Sequence, residues 1–208
     1  MNKHVKYSAT LILGAAVIYL TYPPTPVLKQ QPNETIAQYS LRYELEQAKP
    51  FLYEWKYLGQ RWRGTSRLNE MAEEAPLEYK IKALTELFEY YRYDGLSKAE
   101  WLTRSWHEPL PRKQVEKASK AALRLAEIAP EKAAELMAEF IIYPVTVPAI
   151  PDEAIDLVRT QAEAGMPIAV EAMATYCTAD RYWHPCTTDE KTKWQDAQAI
   201  QAKTTQSE

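Results

Sequence analysis

The sequence has few of the residues that most catalytic and cofactor sites require. Its 208 residues include 5 glycines, 3 histidines and 2 cysteines. So few glycines exclude a Rossmann or P-loop enzyme, which needs several of them in one loop. The motifs G-x-S-x-G and H-E-x-x-H are also absent. We therefore expect no metal, no cofactor and no enzymatic activity.

Net charge is small and negative, with 25 basic and 28 acidic residues and a formal charge of −3. The charged fraction of 25% is typical of globular proteins and argues against a wholly disordered chain. A negative chain is also poorly suited to phosphate backbones, so nucleic acid is not an expected partner.

The amino-terminal segment has the pattern of a membrane-targeting sequence. Lys3, His4 and Lys6 precede an almost wholly apolar run over residues 9–20, and prolines follow at positions 23, 24 and 26. Such a pattern predicts a secretory signal or a signal anchor. No A-x-A-like cleavage site follows the run, which favours an uncleaved transmembrane anchor over residues 1–22. A cleaved signal peptide and a buried core helix are the alternatives.

The anchor predicts where the rest of the chain resides. Because the lysines precede the apolar run, the amino terminus should stay cytoplasmic. We expect a single-pass protein of the inner (cytoplasmic) membrane, with its main domain periplasmic or extracellular. Proline-rich residues 23–33 predict a stiff spacer. Without the two anchor lysines, the exported part carries 23 basic and 28 acidic residues, a formal −5.

Cys177 and Cys186 have eight residues between them. An exported domain with two cysteines usually joins them in a disulfide, which is our prediction. Two free thiols are one alternative. A metal site that adds His184 is another, although three ligands with no clear fourth form a poor zinc site.

Helical signals dominate residues 34–203, the predicted repeat domain, and residues 204–208 are a predicted flexible tail. Periodic apolar positions predict a helix over residues 35–49 that Pro50 ends, followed by a helix that Pro50 begins. Residues 141–150 are the most strand-like run, but two prolines interrupt them, so we predict a loop. Further helix starts are predicted at Pro76, Pro130, Pro151 and Pro167, with capping boxes at Ser97–Glu100 and Thr187–Glu190.

An internal repeat spans the carboxyl-terminal half. Residues 126–138 align with residues 162–174 at a shift of 36, with identities at alanine, glutamate and methionine positions. Small residues allow the two helices of a hairpin to approach closely, while large apolar residues fill the space between hairpins. The predicted packing positions are Ala126, Ala133, Met137, Ala162, Gly165, Ala169 and Met173.

Two segments carry a family resemblance. Residues 161–176 (QAEAGMPIAVEAMATY) resemble the A-x-x-G-x-x-x-A-x-x-x-L-A/G-x-x-Y pattern of Sel-one-like repeats, which are related to tetratricopeptide repeats. Residues 90–102 (YYRYDGLSKAEWL) resemble the Y-Y-x-x-G junction of that family with its following K-A-x-x-W-L. The resemblance covers roughly residues 72–200. It implies an all-α fold, a short α-solenoid of antiparallel helix hairpins, with a concave surface that binds another protein. A generic alanine-rich helical bundle is the alternative.

Two sets of residues are candidate ligand contacts. A basic–aromatic patch combines tryptophan and tyrosine with arginine and lysine and contains no acid: Trp55, Lys56, Tyr57, Arg61, Trp62, Arg63 and Arg67. It suits anionic lipid, cell-wall glycan or an acidic partner; the alternative is a solvated face with tryptophans turned inward. An R-x-W-H phrase occurs twice, at Arg104, Trp106 and His107 and at Arg181, Trp183 and His184. These six residues form either one ligand site or two helix-ending turns.

The predicted activity is binding. We expect a membrane-anchored envelope protein that holds another protein on a helical-repeat surface, as a scaffold, adaptor or regulator. An immunity protein that neutralises a secreted toxin is an alternative implied by the resemblance. A structural subunit of a membrane complex and an enzyme that acts on cell wall or lipid are the remaining alternatives.

Overall fold

The structure, a computed structural model, describes residues 25–54, 60–93, 110–143, 150–178 and 186–205. Within these ranges the regular elements are helices and none is a strand, which confirms the all-α prediction. They are α1 (Ile36–Tyr53), α2 (Arg61–Glu74), α3 (Leu77–Arg92), α4 (Arg112–Ala126), α5 (Pro130–Ile142), α6 (Asp152–Glu163), α7 (Pro167–Thr178) and α8 (Thr188–Thr205).

No helix in the described ranges is long and apolar enough to span a membrane. The predicted anchor over residues 1–22 lies outside those ranges, as do residues 206–208 of the predicted tail. Helix α8 runs two residues into that tail and ends at Thr205.

Local sequence signals set most helix starts. Helices α5 and α7 begin at prolines, and α6 begins directly after Pro151, as predicted. Proline suits the first turn because its missing N–H has no partner there in any case. The predicted capping box of α8 is confirmed: the backbone N–H of Glu190 donates to Thr187 Oγ1 at 3.3 Å, and the N–H of Thr187 donates to Glu190 Oε2 at 2.9 Å.

Gly165 ends α6 in a left-handed turn. Its φ is +90°, its N–H donates to the Ala162 carbonyl, and the N–H of Met166 donates to the Gln161 carbonyl, both at 3.0 Å. This is the Schellman arrangement, in which glycine avoids the Cβ penalty of positive φ. The turn leaves only residues 164–166 between α6 and α7.

Pro50 does not separate two helices, so that prediction was wrong. Helix α1 continues through Pro50 to Tyr53. Proline removes one backbone hydrogen bond and crowds the preceding turn, but here it stands in the last turn. Phe51 and Leu52, the next two residues, are buried, and their burial favours continuing the helix. Trp55 and Leu58 of the predicted second helix lie outside the described residues.

The loop predicted over residues 141–150 also begins too early. Helix α5 includes Ile141 and Ile142, and Ile141 is completely buried. Burial of Phe140 and Ile141 extends the helix past the point where β-branched residues and the coming proline indicated a loop. Residues 144–149 are not among those described.

The chain divides into two compact units, with the boundary between Ala83 and Leu84 inside α3. The amino-terminal unit is built on α1 packed against α2. Its core contains Leu45, Ala48, Leu52, Leu68 and Met71. The beginning of α3 is held to α1 by the Tyr79 hydroxyl, which donates to the Gln38 carbonyl at 2.9 Å.

The carboxyl-terminal part of the predicted spacer is attached to the amino-terminal unit. The Tyr39 hydroxyl donates to the Leu28 carbonyl at 3.0 Å, and Arg42 Nη2 donates to the Lys29 carbonyl at 2.9 Å. Arg42 also forms an ion pair with Glu34 at 2.7 Å. Residues 28–34 are therefore held on the first turns of α1.

The carboxyl-terminal unit contains two successive hairpins, α4–α5 and α6–α7, each joined by a three-residue turn. Helix α5 packs against α4, α6 and α7, and α8 packs against α7. Helix α8 is polar over most of its surface and is seated by the buried Trp194. Such a helix has the character of a cap that covers the last apolar face.

Candidate functional site

Four residues of the predicted basic–aromatic patch lie on α2: Arg61, Trp62, Arg63 and Arg67. The other three, at positions 55–57, are outside the described residues. Trp62 is 64% exposed, so this tryptophan does not turn inward as the alternative interpretation required. Arg63 and Arg67 are one helical turn apart and therefore share a face of α2.

These side chains border a groove of about 440 Å³ between α1 and α2. We call it the α1–α2 groove; its lining residues are Gln47, Phe51, Trp62, Arg63, Ser66, Arg67 and Glu70. The volume falls within the range of about 300–1,000 Å³ that is usual for small-ligand sites. Its wall combines aromatic rings with cationic, amide, hydroxyl and carboxylate groups.

Hydrogen bonds fix the polar wall of the groove. Arg67 Nη1 donates to Gln47 Oε1 at 2.6 Å, and Gln47 Nε2 donates to the Tyr43 hydroxyl at 3.2 Å. The Ser66 hydroxyl donates to Glu70 Oε1 at 3.1 Å. Arg67 is thus positioned by a neutral amide, and this partner does not neutralise the positive charge of the guanidinium.

Aromatic contacts position the second guanidinium. The Arg63 guanidinium lies 5.5 Å from the centroid of the Trp62 ring and 6.0 Å from that of Phe51. Contacts of this length are cation–π interactions. Phe51 is buried and forms the apolar floor, while Trp62 presents an exposed indole at the rim.

Four lining residues were not predicted from the sequence: Gln47, Phe51, Ser66 and Glu70. Ser66 and Glu70 follow Arg63 and Arg67 at helical spacing on α2, so periodicity alone would have placed them on this face. Gln47 and Phe51 belong to α1, and only the packing of α1 on α2 brings them to the groove.

A second cationic surface lies on α4 and had no part in the sequence predictions. The helix carries five basic residues and one acidic residue. Lys113, Lys117, Lys120 and Arg124 are spaced by four, three and four positions, which places them in one row along the helix. We call this row the α4 basic stripe. The three lysines are exposed, and the Lys117 ammonium lies 5.0 Å from the centre of the Tyr91 ring.

A buried arginine occupies the end of α3. Arg92 is 5% exposed and pairs with Glu139 at 3.1 Å and Glu89 at 3.6 Å. Its guanidinium lies 5.2 Å from the Tyr93 ring. Burial raises the pKa of Tyr93 to about 12. The cluster is a satisfied structural network that holds α3 to α5.

Cys177 and Cys186 form a disulfide, with their Cα atoms 5.2 Å apart. Cys177 is buried in α7, and Cys186 stands just before α8. Among the described residues, no three His, Cys, Asp or Glu side chains lie close enough to hold a metal ion. His184, and with it both R-x-W-H phrases (Arg104, Trp106, His107, Arg181, Trp183 and His184), falls outside the described ranges.

The predicted repeat-packing residues occupy equivalent places in the two hairpins. Ala133 and Met137 of α5, and Ala169 and Met173 of α7, are all 0% exposed. Ala162 is buried near the end of α6, and Ala126 is half-buried at the end of α4. Gly165 is exposed and serves the turn, not the interface between helices.

Comparison of the chain with protein-family models, curated proteins and solved structures yielded no match.

Proposed function

We propose that this protein is a membrane-anchored envelope protein that binds another protein through its helical hairpins, as a scaffold, adaptor or regulator. The observation that carries the proposal is the α4 basic stripe on the first of two packed hairpins. In this proposal the apolar amino-terminal segment is the anchor, and the hairpins are exported.

The stripe has the properties of a docking surface for an acidic partner. The opposite face of α4 is apolar and buried, with Val115, Ala118 and Ala122 completely inaccessible. That burial fixes the helix, so the backbone positions that carry the exposed lysines form a fixed row. The whole chain has a formal charge of −3, so a row of positive charges differs locally from the average charge of the protein. Charge complementarity of this kind steers encounter and selects partners.

The binding free energy lost when the stripe is reversed can be worked out from the strength of exposed ion pairs. Each such pair is worth about 0.2–1 kcal/mol. Reversing three lysines replaces three attractions of about 0.5 kcal/mol by repulsions of similar size, a loss of about 3 kcal/mol. That corresponds to roughly 100-fold weaker binding.

The experiment compares full-length variants in quantitative pull-downs from detergent-solubilised envelope. One variant combines Lys113→Glu, Lys117→Glu and Lys120→Glu. The matched control combines Lys132→Glu, Lys191→Glu and Lys203→Glu, which reverses three exposed lysines on α5 and α8. We expect a partner that the control retains and the stripe variant loses, with binding that weakens as salt rises. Retention of every partner by the stripe variant, at every salt concentration, would overturn the proposal.

A further inference from the structure

We propose that the α1–α2 groove binds an acidic sugar, meaning a pyranose ring that carries a carboxylate. The site lies in the amino-terminal unit, and the proposal does not depend on the α4 basic stripe. It rests on the exposed indole, the positioned guanidinium and the ring of hydrogen-bonding groups around them.

The indole of Trp62 provides the surface on which a sugar ring would lie. A large aromatic side chain that is 64% exposed at the rim of a groove is costly in water. A pyranose ring presents one face of C–H groups, and packing that face on the indole removes apolar surface from water. The Arg63 guanidinium lies 5.5 Å from the centroid of the indole and makes a cation–π contact with it.

Arg67 provides the contact for the carboxylate. The guanidinium has five N–H donors in a planar fork, and the only hydrogen bond it makes within the described residues is the one to Gln47 at 2.6 Å. That bond orients the fork without neutralising it. No carboxylate of the described residues lies within ion-pair distance of Arg67. Arginine forks bind carboxylates through two parallel hydrogen bonds.

Glu70 makes the groove better suited to a sugar than to a phosphate. Its carboxylate lines the same groove and accepts from the Ser66 hydroxyl at 3.1 Å. A carboxylate oxygen accepts hydrogen bonds from sugar hydroxyls but repels a doubly charged phosphate. With two arginines and one glutamate, the lining carries a formal charge of +1, from +2 and −1. One carboxylate on the ring that occupies the groove balances that charge.

The test measures binding by calorimetry to the full-length protein in detergent micelles. The probes are trigalacturonate, the neutral galactotriose and inorganic phosphate. We expect trigalacturonate to bind at least tenfold more tightly than galactotriose, because only the acid engages Arg67. Trp62→Ala should weaken both sugars about tenfold or more. Arg67→Gln should weaken trigalacturonate by about 10- to 100-fold and galactotriose by less than threefold.

Two matched control variants test whether the loss of binding is specific to this groove. Tyr143→Ala removes another exposed aromatic side chain, and Arg112→Gln removes another exposed arginine. Both should leave the affinity unchanged within twofold. If either control weakens trigalacturonate as much as its groove counterpart, the groove is not the site. Equal affinity for the acidic and neutral sugars would overturn carboxylate recognition.

The lipid alternative is tested in nanodiscs of phosphatidylcholine with or without phosphatidylglycerol. A photo-cross-linker is placed by Trp62→p-benzoylphenylalanine in the full-length chain. Cross-linking to lipid that requires phosphatidylglycerol, combined with no calorimetric binding of trigalacturonate, would overturn the sugar proposal. Preferential binding of inorganic phosphate over trigalacturonate would do the same.

Discussion

The close approach of α2 to α1 at Gly64 predicts the effect of one added methyl group. Gly64 of α2 faces α1, and a Cβ at this position would lie 2.8 Å from Leu52 Cδ2 and 2.9 Å from the Ala48 carbonyl oxygen. Both distances are below ordinary van der Waals contact. The Leu52 side chain can move, but the Ala48 oxygen belongs to the helix backbone, so relief requires the two helices to separate.

The expected cost of Gly64→Ala is the difference between two effects. Alanine is a better helix former than glycine by about 1 kcal/mol. Inserting a methyl group into a packed interface costs about 1–3 kcal/mol, and the backbone contact favours the upper end. We therefore expect a net destabilisation of about 2 kcal/mol. Amide hydrogen exchange of the full-length protein in micelles, followed by mass spectrometry, should show exchange in α1 and α2 peptides accelerated about 30-fold.

The control is Ser66→Ala, which changes an exposed position one half-turn away on the same helix. It removes only the bond to Glu70 and should leave the exchange within a few-fold. Unchanged or slower exchange in Gly64→Ala would refute the reasoning, because helix propensity would then outweigh the contact.

Two further predictions concern the ends of the described fold. Reduction of the Cys177–Cys186 disulfide, or Cys186→Ser, should lower the free energy of unfolding by about 2–3 kcal/mol in the chain-entropy model for a loop of about ten residues; thermal melts followed by circular dichroism measure it, and an unchanged midpoint contradicts it. The pKa of Glu34 is lowered to about 2, first by its hydrogen bond from Arg42. A lowered pKa means that the carboxylate stabilises the folded state above about pH 4.5 and that this contribution is lost as pH falls through about 2. Amide protection in residues 28–34, meaning the exchange rate relative to the intrinsic rate of the same amides at each pH, should therefore fall in acid. Glu34→Gln should lower this protection already at neutral pH; a loss of protection in acid that Glu34→Gln retains in full would contradict the assignment.

The features that sequence predicted correctly are local ones. Pro130 and Pro167 start helices because a fixed φ and a missing N–H suit the first turn. The Thr187–Glu190 box forms because its partners are three residues apart, so few other contacts are needed. The cysteine pair depended on composition and on the predicted compartment. Apart from the compartment, which the amino-terminal segment indicates, each of these inferences uses groups within about ten residues of one another.

The features that sequence missed depend on helices that are distant along the chain. Pro50 ends a helix by local rules, yet burial of Phe51 and Leu52 carries α1 past it. The α4 basic stripe lies within one helix, but only the packing of α4 against α5 and α6 shows that its cationic side meets solvent.

The sequence by itself determined the helical character, the positions of most helix starts and the repeated small residues, because backbone conformation and capping depend on near neighbours. The tertiary structure decided which faces are covered. It placed Gln47 and Phe51 opposite Arg67 and Trp62 and so turned a run of basic and aromatic residues into a groove. It also attached residues 28–34 to α1 through Tyr39 and Arg42. Burial and cross-helix hydrogen bonds are collective properties of packed helices, and no single segment encodes them.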